Sequence, residues 1–192
     1  MLPRIASNGF NLYSPTFHRK LKPSELITFA KDFGQAVVTA HEAGFDCVEV
    51  HAGHGYLISQ FLSPWTNRRR DEFGGSLENR MRFMNMCLEE VMEQAARHNM
   101  AVLVKHNMED GFRSGIQIPE SIEIAKQIES FGVHGIVLSS GFVSRAPMAV
   151  MRGRIPTKTM GYYMGWNEWL QKIVVSLFGQ WMIKQYDFEE CF

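Results

Sequence analysis

The sequence predicts an α/β fold in which parallel strands are covered by outer helices. Segments with helical spacing of apolar residues alternate with short runs rich in β-branched residues. The predicted helices span 23–43, 76–98 and 119–131, and the predicted strands lie in 45–51, 101–105 and 135–139. This alternation favours a parallel sheet. A closed barrel of eight such units needs about 250 residues, so a chain of 192 residues predicts a small open sheet or part of a barrel.

Local signals place the helix ends. Residues 1–22 have no clear period and predict an extended N-terminal segment. Pro23 is a favoured first helical residue, and Gly44 stands where a left-handed cap ends a helix. Ser76 is a good N-cap for the long second helix, and Pro119 opens the third.

The chain changes character after Gly141. Residues 23–141 contain the βα units, whereas residues 142–192 are rich in Met, Trp, Tyr and Phe and predict an aromatic-rich, insertion-like extension. An amphipathic helix is predicted over 166–178.

Composition excludes several classes of partner. Lys plus Arg and Asp plus Glu number 20 each, so the balance gives no support for nucleic-acid binding. No apolar run reaches the roughly 18 residues that a membrane span needs. The three cysteines form no C-x-x-C pair, which favours a reducing cytoplasm over a disulfide or zinc framework.

The densest group of chemically useful side chains follows the first predicted strand. His51, His54 and Tyr56 lie in a glycine-containing turn at the carboxyl end of that strand, where parallel α/β folds bind ligands. Imidazoles can donate hydrogen bonds to a carbonyl oxygen, and a tyrosine hydroxyl can deliver a proton. Lys105 ends the second strand, so it is expected at the same rim, where it could stabilise negative charge on a bound cofactor ring.

These residues also have simpler interpretations. The histidines could be solvent-exposed turn residues, and Lys105 could be solvated or salt-bridged. A metal site would use His51 and His54 with Glu49, but a third ligand of fixed spacing is missing. The charge run Arg68-Arg69-Arg70 predicts a solvated or salt-bridged loop. P-loop, Rossmann and nucleophile-elbow motifs are absent from the sequence.

A long stretch resembles the signature of the Old Yellow Enzyme family, the FMN-dependent NAD(P)H:flavin oxidoreductases or ene-reductases. The matching segments are 44–57, 60–64, 66–68, 71–80 and 82–83, and residues 102–105, 107–112 and 139–148 look like the family's fifth strand with its loop and the region after the sixth strand. The resemblance implies strands four to six of a TIM (β/α)8 barrel, so residues 1–192 are expected to form a single incomplete barrel domain.

The same resemblance implies roles for individual residues. His51 and His54 would hold the carbonyl oxygen of an α,β-unsaturated, enone-type substrate, and Tyr56 would be the catalytic proton donor. Lys105 would bind beside the FMN ring, and NADH or NADPH would be the reductant. Because strands that carry the family's phosphate grip have no counterpart in residues 1–192, a truncated form with weak or no FMN binding is expected.

Two alternatives to a truncated enzyme stay open. One is a non-catalytic remnant or interaction module, in which exposed sheet edges pair with a missing barrel portion or with a second copy as a homo-oligomer. The other is a metal-binding protein that uses His51 and His54.

Overall fold

The computed structural model describes residues 4–11 and 16–150, together with residues 167, 169 and 173. Most of the predicted extension 142–192, including nearly all of the predicted helix 166–178, lies outside these residues. Among the helices that the structure describes, none is both long and apolar enough to cross a membrane.

The described elements follow the alternating order that the sequence predicts. In chain order they are β1 (Arg4–Ile5), β2 (Gly9–Asn11), β3 (Thr16–Lys20), α1 (Pro23–Glu42), β4 (Cys47–Ala52), α2 (Leu57–Leu62), α3 (Leu77–His98), β5 (Ala101–Asn107), α4 (Ile118–Ser130), β6 (Gly135–Ser139) and α5 (Pro147–Val150). The strands β4, β5 and β6 form a parallel three-stranded sheet with β5 in the centre. The predicted parallel α/β arrangement is therefore confirmed.

Helices cover one face of this sheet. Val50, Val102 and Val104 point to that face and are buried in the main hydrophobic core, where they meet apolar residues of α3 and α4. The helix α1 packs outside, against α3. Gly34 permits this close approach, because a Cβ at this position would lie 3.1 Å from the carbonyl oxygen of Glu90.

The helix ends follow the sequence signals. Ser76 caps α3 by accepting a hydrogen bond from the backbone N–H of Asn79, and Asn99 ends the helix in the left-handed conformation with φ 52°. Pro23 begins α1, and Gly44 follows it with φ 87°.

The N-terminal segment is extended, as expected, but it also forms its own small sheet. The strand β3 pairs with β1 in parallel and with β2 antiparallel. Sequence reasoning missed this pairing because the strands have two to five residues and no alternation of apolar and polar positions.

Arg69 attaches this segment to the rest of the fold. Its guanidinium donates to the carbonyl oxygens of Ala6 at 3.0 Å and Leu21 at 2.7 Å, and it forms a two-pronged ion pair with Asp71. The prediction of a salt-bridged loop is confirmed for Arg69, but the prediction of solvation is wrong for this residue, which is 4% exposed. Arg68 and Arg70 are exposed.

We expect Arg69→Ala to lower the free energy of unfolding by about 3 kcal/mol, because it leaves two buried carbonyl oxygens without their donor and breaks a partly buried ion pair. Arg70→Ala, at the exposed neighbouring position, should change it by no more than about 0.5 kcal/mol. Urea titration followed by circular dichroism measures both values. Equal effects of the two substitutions would contradict the anchoring role of Arg69.

His106 is a buried polar residue on the helix-facing side of β5. The hydroxyl of Ser121 donates to the carbonyl oxygen of Asn107 at 2.9 Å, so Nε2–H of His106 must be the donor in its 3.0 Å bond to Ser121 Oγ. Burial lowers the pKa of His106 from 6.5 to about 4. Its Nδ1 is buried without a hydrogen-bond partner among the described residues, so a proton added there would find no acceptor among them.

This pKa shift predicts a pH dependence of stability. Because the folded pKa lies below the unfolded value, the stabilising effect is complete above about pH 6.5 and is lost as the pH falls towards 4. One proton corresponds to a slope of about 1.4 kcal/mol per pH unit. We expect His106→Gln to reduce the slope of unfolding free energy against pH in this range. An unchanged slope in urea titrations at pH 6.5 and 4.5 would contradict the assignment.

Candidate active site

The predicted site residues meet at the carboxyl end of the parallel sheet. His51 on β4 is the register partner of Lys105 on β5, so both side chains project from the face opposite the helices. Lys105 Nζ lies 2.6 Å from a carboxylate oxygen of Glu49, two residues before His51. The salt-bridged interpretation of Lys105 is therefore confirmed. Lys105 does not end the strand as predicted, because β5 continues for two residues to Asn107.

The turn after β4 brings the two histidines and the tyrosine together. The His51 and His54 rings are 4.8 Å apart and nearly perpendicular, and the Tyr56 ring lies 4.8 Å from that of His51. His54 adopts the left-handed conformation with φ 58°, and Gly55 follows with φ 81°. Two consecutive left-handed residues fold the turn back on itself, so the Tyr56 ring, which is exposed, reaches His51.

Hydrogen bonding determines which ring nitrogen of His51 carries a proton. The backbone N–H of Gly53 donates to His51 Nδ1 at 3.2 Å, so this nitrogen is an acceptor. Burial lowers the pKa of His51, and the positive charges of His54 and Lys105 lower it further, against an opposing effect of Glu49. The neutral ring therefore carries its proton on Nε2, which makes no hydrogen bond among the described residues and can donate to a ligand.

His54 is held by a residue that sequence reasoning missed. Ser139, the last residue of β6, places its hydroxyl 2.6 Å from His54 Nε2. Burial and the charge of Lys105 lower the pKa of His54 as well. The one available signal was a polar residue at the end of a predicted strand, because such residues face the same rim in a parallel sheet.

Asn107 was also missed, although it joins the three loops at this rim. Its Oδ1 accepts from the backbone N–H of His54 at 3.2 Å, and its Nδ2 donates to the carbonyl oxygen of Gly141 at 2.8 Å and to Asp110 at 3.1 Å. Gly53 is needed beside it, because a Cβ there would lie 2.6 Å from Asn107 Oδ1. The side chain of Asn107 is completely buried.

Asp110 supports Asn107 from the β5–α4 loop. Its carboxylate accepts from Ser63 Oγ at 2.6 Å and from the backbone N–H of Ile116 at 2.9 Å, in addition to Asn107. Burial raises the pKa of Asp110, although these hydrogen bonds favour the ionised form. The network therefore connects the loops after β4, β5 and β6 with the end of α2.

Three aromatic side chains form a cluster beside the histidine turn. Trp65, Phe112 and Phe142, which we call the aromatic rim, are in edge-to-face contact with centroid separations of 5.2 to 5.7 Å. The Phe142 ring lies against Gly55, where an added Cβ would be 2.3 Å from a ring carbon. The backbone N–H of Val143 donates to the carbonyl oxygen of His54 at 3.0 Å. The loop after β6 therefore packs against the turn that contains His54 and Gly55 and holds it in place.

The metal alternative receives no further ligand. Within the described part of the chain, no group of three or more His, Cys, Asp or Glu residues is arranged to hold a metal ion. Glu49, the third ligand considered from the sequence, is paired with Lys105 instead.

A matched pair of glycines tests the contact between Phe142 and the turn. Gly75→Ala, at φ 85° with nothing within 4 Å of the added Cβ, should cost about 1 kcal/mol of stability through backbone strain alone. Gly55→Ala, at φ 81°, should cost roughly 1–3 kcal/mol more because the methyl group displaces the Phe142 ring. Urea unfolding measures both, and equal costs would contradict the packing of Phe142 on the turn.

A family model and a known enzyme both match this chain. Residues 5–164 match the model of the NADH:flavin oxidoreductase / NADH oxidase family. An NADPH dehydrogenase from Bacillus subtilis is 42% identical over 123 residues, which are 64% of this chain and 36% of that protein. The chain thus spans about a third of this relative.

Solved structures show where the chain fits. A 2-naphthoyl-CoA reductase in complex with 2-naphthoyl-CoA matches with a TM-score of 0.68 and 30% identity, over 73% of this chain and 22% of that chain. The Old Yellow Enzyme homologue from Zymomonas mobilis matches in fold, with a TM-score of 0.62, 24% identity and coverage of 86% of this chain and 55% of that chain. The parallel sheet with its outer helices is a part of this TIM barrel, and the chain belongs to the NADH:flavin oxidoreductase / NADH oxidase family, the family of Old Yellow Enzyme.

Proposed function

We propose that this chain supplies the substrate-side part of an FMN-dependent ene-reductase, which reduces the C=C bond of α,β-unsaturated carbonyl compounds. The observation that carries the proposal is the cluster of His51, His54 and Tyr56, in which His51 Nε2–H is a donor without a protein acceptor among the described residues. Family membership and the NADPH dehydrogenase relative support NADH or NADPH as the reductant, and a dependence on these nucleotides fits the cytoplasm.

The two histidines would bind and polarise the substrate carbonyl. His51 donates from Nε2 to the carbonyl oxygen. His54 presents Nδ1 to the same oxygen, because its Nε2 already bonds to Ser139. As the alkene is reduced, negative charge develops on this oxygen, and preorganised donors stabilise it. Tyr56 then gives the proton to the carbon next to the carbonyl, from a ring packed against His51.

Lys105 is the described residue that fits FMN. Its ammonium projects from the inner face of the sheet and is partly exposed, so it can place positive charge beside the flavin ring while it stays near Glu49. When bound, FMN supplies hydride to the other alkene carbon. We assign no ligand of the FMN phosphate to the described residues.

A partner is expected at the sheet edges. Among the described strands, β4 and β6 each pair on one side only, and Leu138 on β6 is 58% exposed. Such edges favour addition of further strands. The added strands would come from the remaining part of the barrel or from a second copy of the chain. Because the same edges could serve binding alone, a non-catalytic interaction module is the second candidate function.

FMN titration of the purified chain, followed by flavin fluorescence and by sedimentation velocity, tests the proposal. Saturable binding near micromolar, about −8 kcal/mol, together with reduction of an enone by NADH or NADPH, would support an enzyme. A folded oligomer that binds no FMN, alone or mixed with the complementary barrel segment of a relative, would support the interaction module instead.

Tyr56→Phe separates the two halves of the reaction. We expect substrate reduction to slow by about 10²–10⁴-fold, because the variant lacks the proton donor, while flavin reduction by NADH keeps its rate. Stopped-flow absorbance of the flavin band measures both halves in the reconstituted enzyme. Phe142→Leu, which leaves the hydroxyl in place, is the control for indirect effects on the turn. An equal loss in both halves would contradict the assignment of Tyr56.

A further inference from the structure

Arg145 lies on the aromatic rim, where its guanidinium contacts two rings that also contact each other. Its Cζ is 4.8 Å from the ring centroid of Trp65 and 4.8 Å from that of Phe112. A guanidinium that rests on aromatic rings in a cation–π contact uses none of its N–H groups for a hydrogen bond there, so they stay available for an acceptor. The side chain is exposed, yet these two contacts restrict its position.

The aromatic rim connects Arg145 to the candidate active site. The third ring of the rim, Phe142, packs on Gly55, and the residue after it donates a hydrogen bond to His54. Arg145 closes the same loop, because its backbone N–H donates to the carbonyl oxygen of Phe142 at 3.0 Å. The loop that carries Arg145 therefore packs on the histidine turn at the carboxyl end of the sheet.

The charge of Arg145 is uncompensated in the part of the chain that the structure describes. Lys105 forms an ion pair with Glu49, whereas no described carboxylate pairs with Arg145. Exposed arginines such as Arg70 also lack an ion pair, but within the described residues only Arg145 combines this with contacts to two aromatic rings. A cation that is positioned by aromatic rings, left without an anion and placed beside a carbonyl-binding pair is arranged for an anionic ligand.

We propose that Arg145 binds the carboxylate of the substrate, so that the preferred substrates are unsaturated carbonyl compounds that also carry a carboxylate group. This inference rests on the proposed function and specifies its substrate class. The histidine pair holds the carbonyl, and the guanidinium takes the carboxylate through two parallel hydrogen bonds. Arg145 is a specificity-determining residue in this scheme, and no bond is made or broken at it.

Equilibrium binding tests the proposal separately from catalysis. The probes are 4-oxopentanoate and 6-oxoheptanoate, which carry a ketone and a carboxylate and cannot be reduced at a C=C bond, and the methyl ester of each. Titration calorimetry on the full chain with excess FMN should show that at least one acid binds about tenfold or more tightly than its ester. Arg145→Gln should remove this preference and leave ester affinity within about twofold, and Arg145→Lys should retain part of it.

Two further variants make the test specific. Trp65→Leu should weaken acid binding, because it removes one of the two rings that position the guanidinium, without weakening ester binding. Arg70→Gln, at an exposed arginine outside the rim, should leave both affinities unchanged.

The possible results distinguish this inference from the proposed function. The role of Arg145 would be overturned if the wild-type chain bound acid and ester equally, or if the acid preference survived in Arg145→Gln. It would also be overturned if no acid bound at millimolar concentration. An acid preference that depends on Arg145 but persists unchanged in His51→Ala would support Arg145 and count against the carbonyl site.

Discussion

One neutral amide side chain determines the arrangement of the site. Asn107 ends the central strand and reaches the turn after β4 and the loop after β6, so the three loops at the rim share a single buried partner. An amide suits this position because it offers both a donor and an acceptor without the desolvation cost of a charge. Asp110 holds the amide in orientation by accepting a hydrogen bond from it. The amide oxygen in turn accepts from the backbone N–H of His54, and this bond stabilises the left-handed conformation of His54.

The charges on the sheet face opposite the helices act together on the two histidines. Lys105 and Glu49 form an ion pair in a partly buried environment. Burial and the positive charge of Lys105 lower the pKa of both histidines, which favours their neutral forms. Neutral imidazoles have one donor nitrogen each, and for His51 the backbone of Gly53 decides which one it is. Burial and the charge of Lys105 therefore favour the neutral imidazoles, and a backbone contact sets the hydrogen-bonding direction of His51.

The sequence alone predicted the elements that depend on local signals. Helical spacing, Ser76 and Gly44 located α1 and α3, and His51, His54 and Tyr56 were found because they are neighbours in one turn. Ser139 and Asn107 could not be found in this way, since they reach His54 across 85 and 53 residues through strand register. Side-chain packing of this kind depends on the assembled sheet, and no periodicity reveals it.

The buried contacts of Arg69 have a consequence for the order of folding during synthesis. Arg69 bonds to backbone atoms that lie 63 and 48 residues earlier in the chain. At typical translation rates these earlier residues are synthesised roughly 2–13 seconds before their partner. The N-terminal sheet is therefore expected to dock late, after the first βα unit exists, and a nascent chain arrested before residue 69 should expose β1 and β3 to proteases and chaperones.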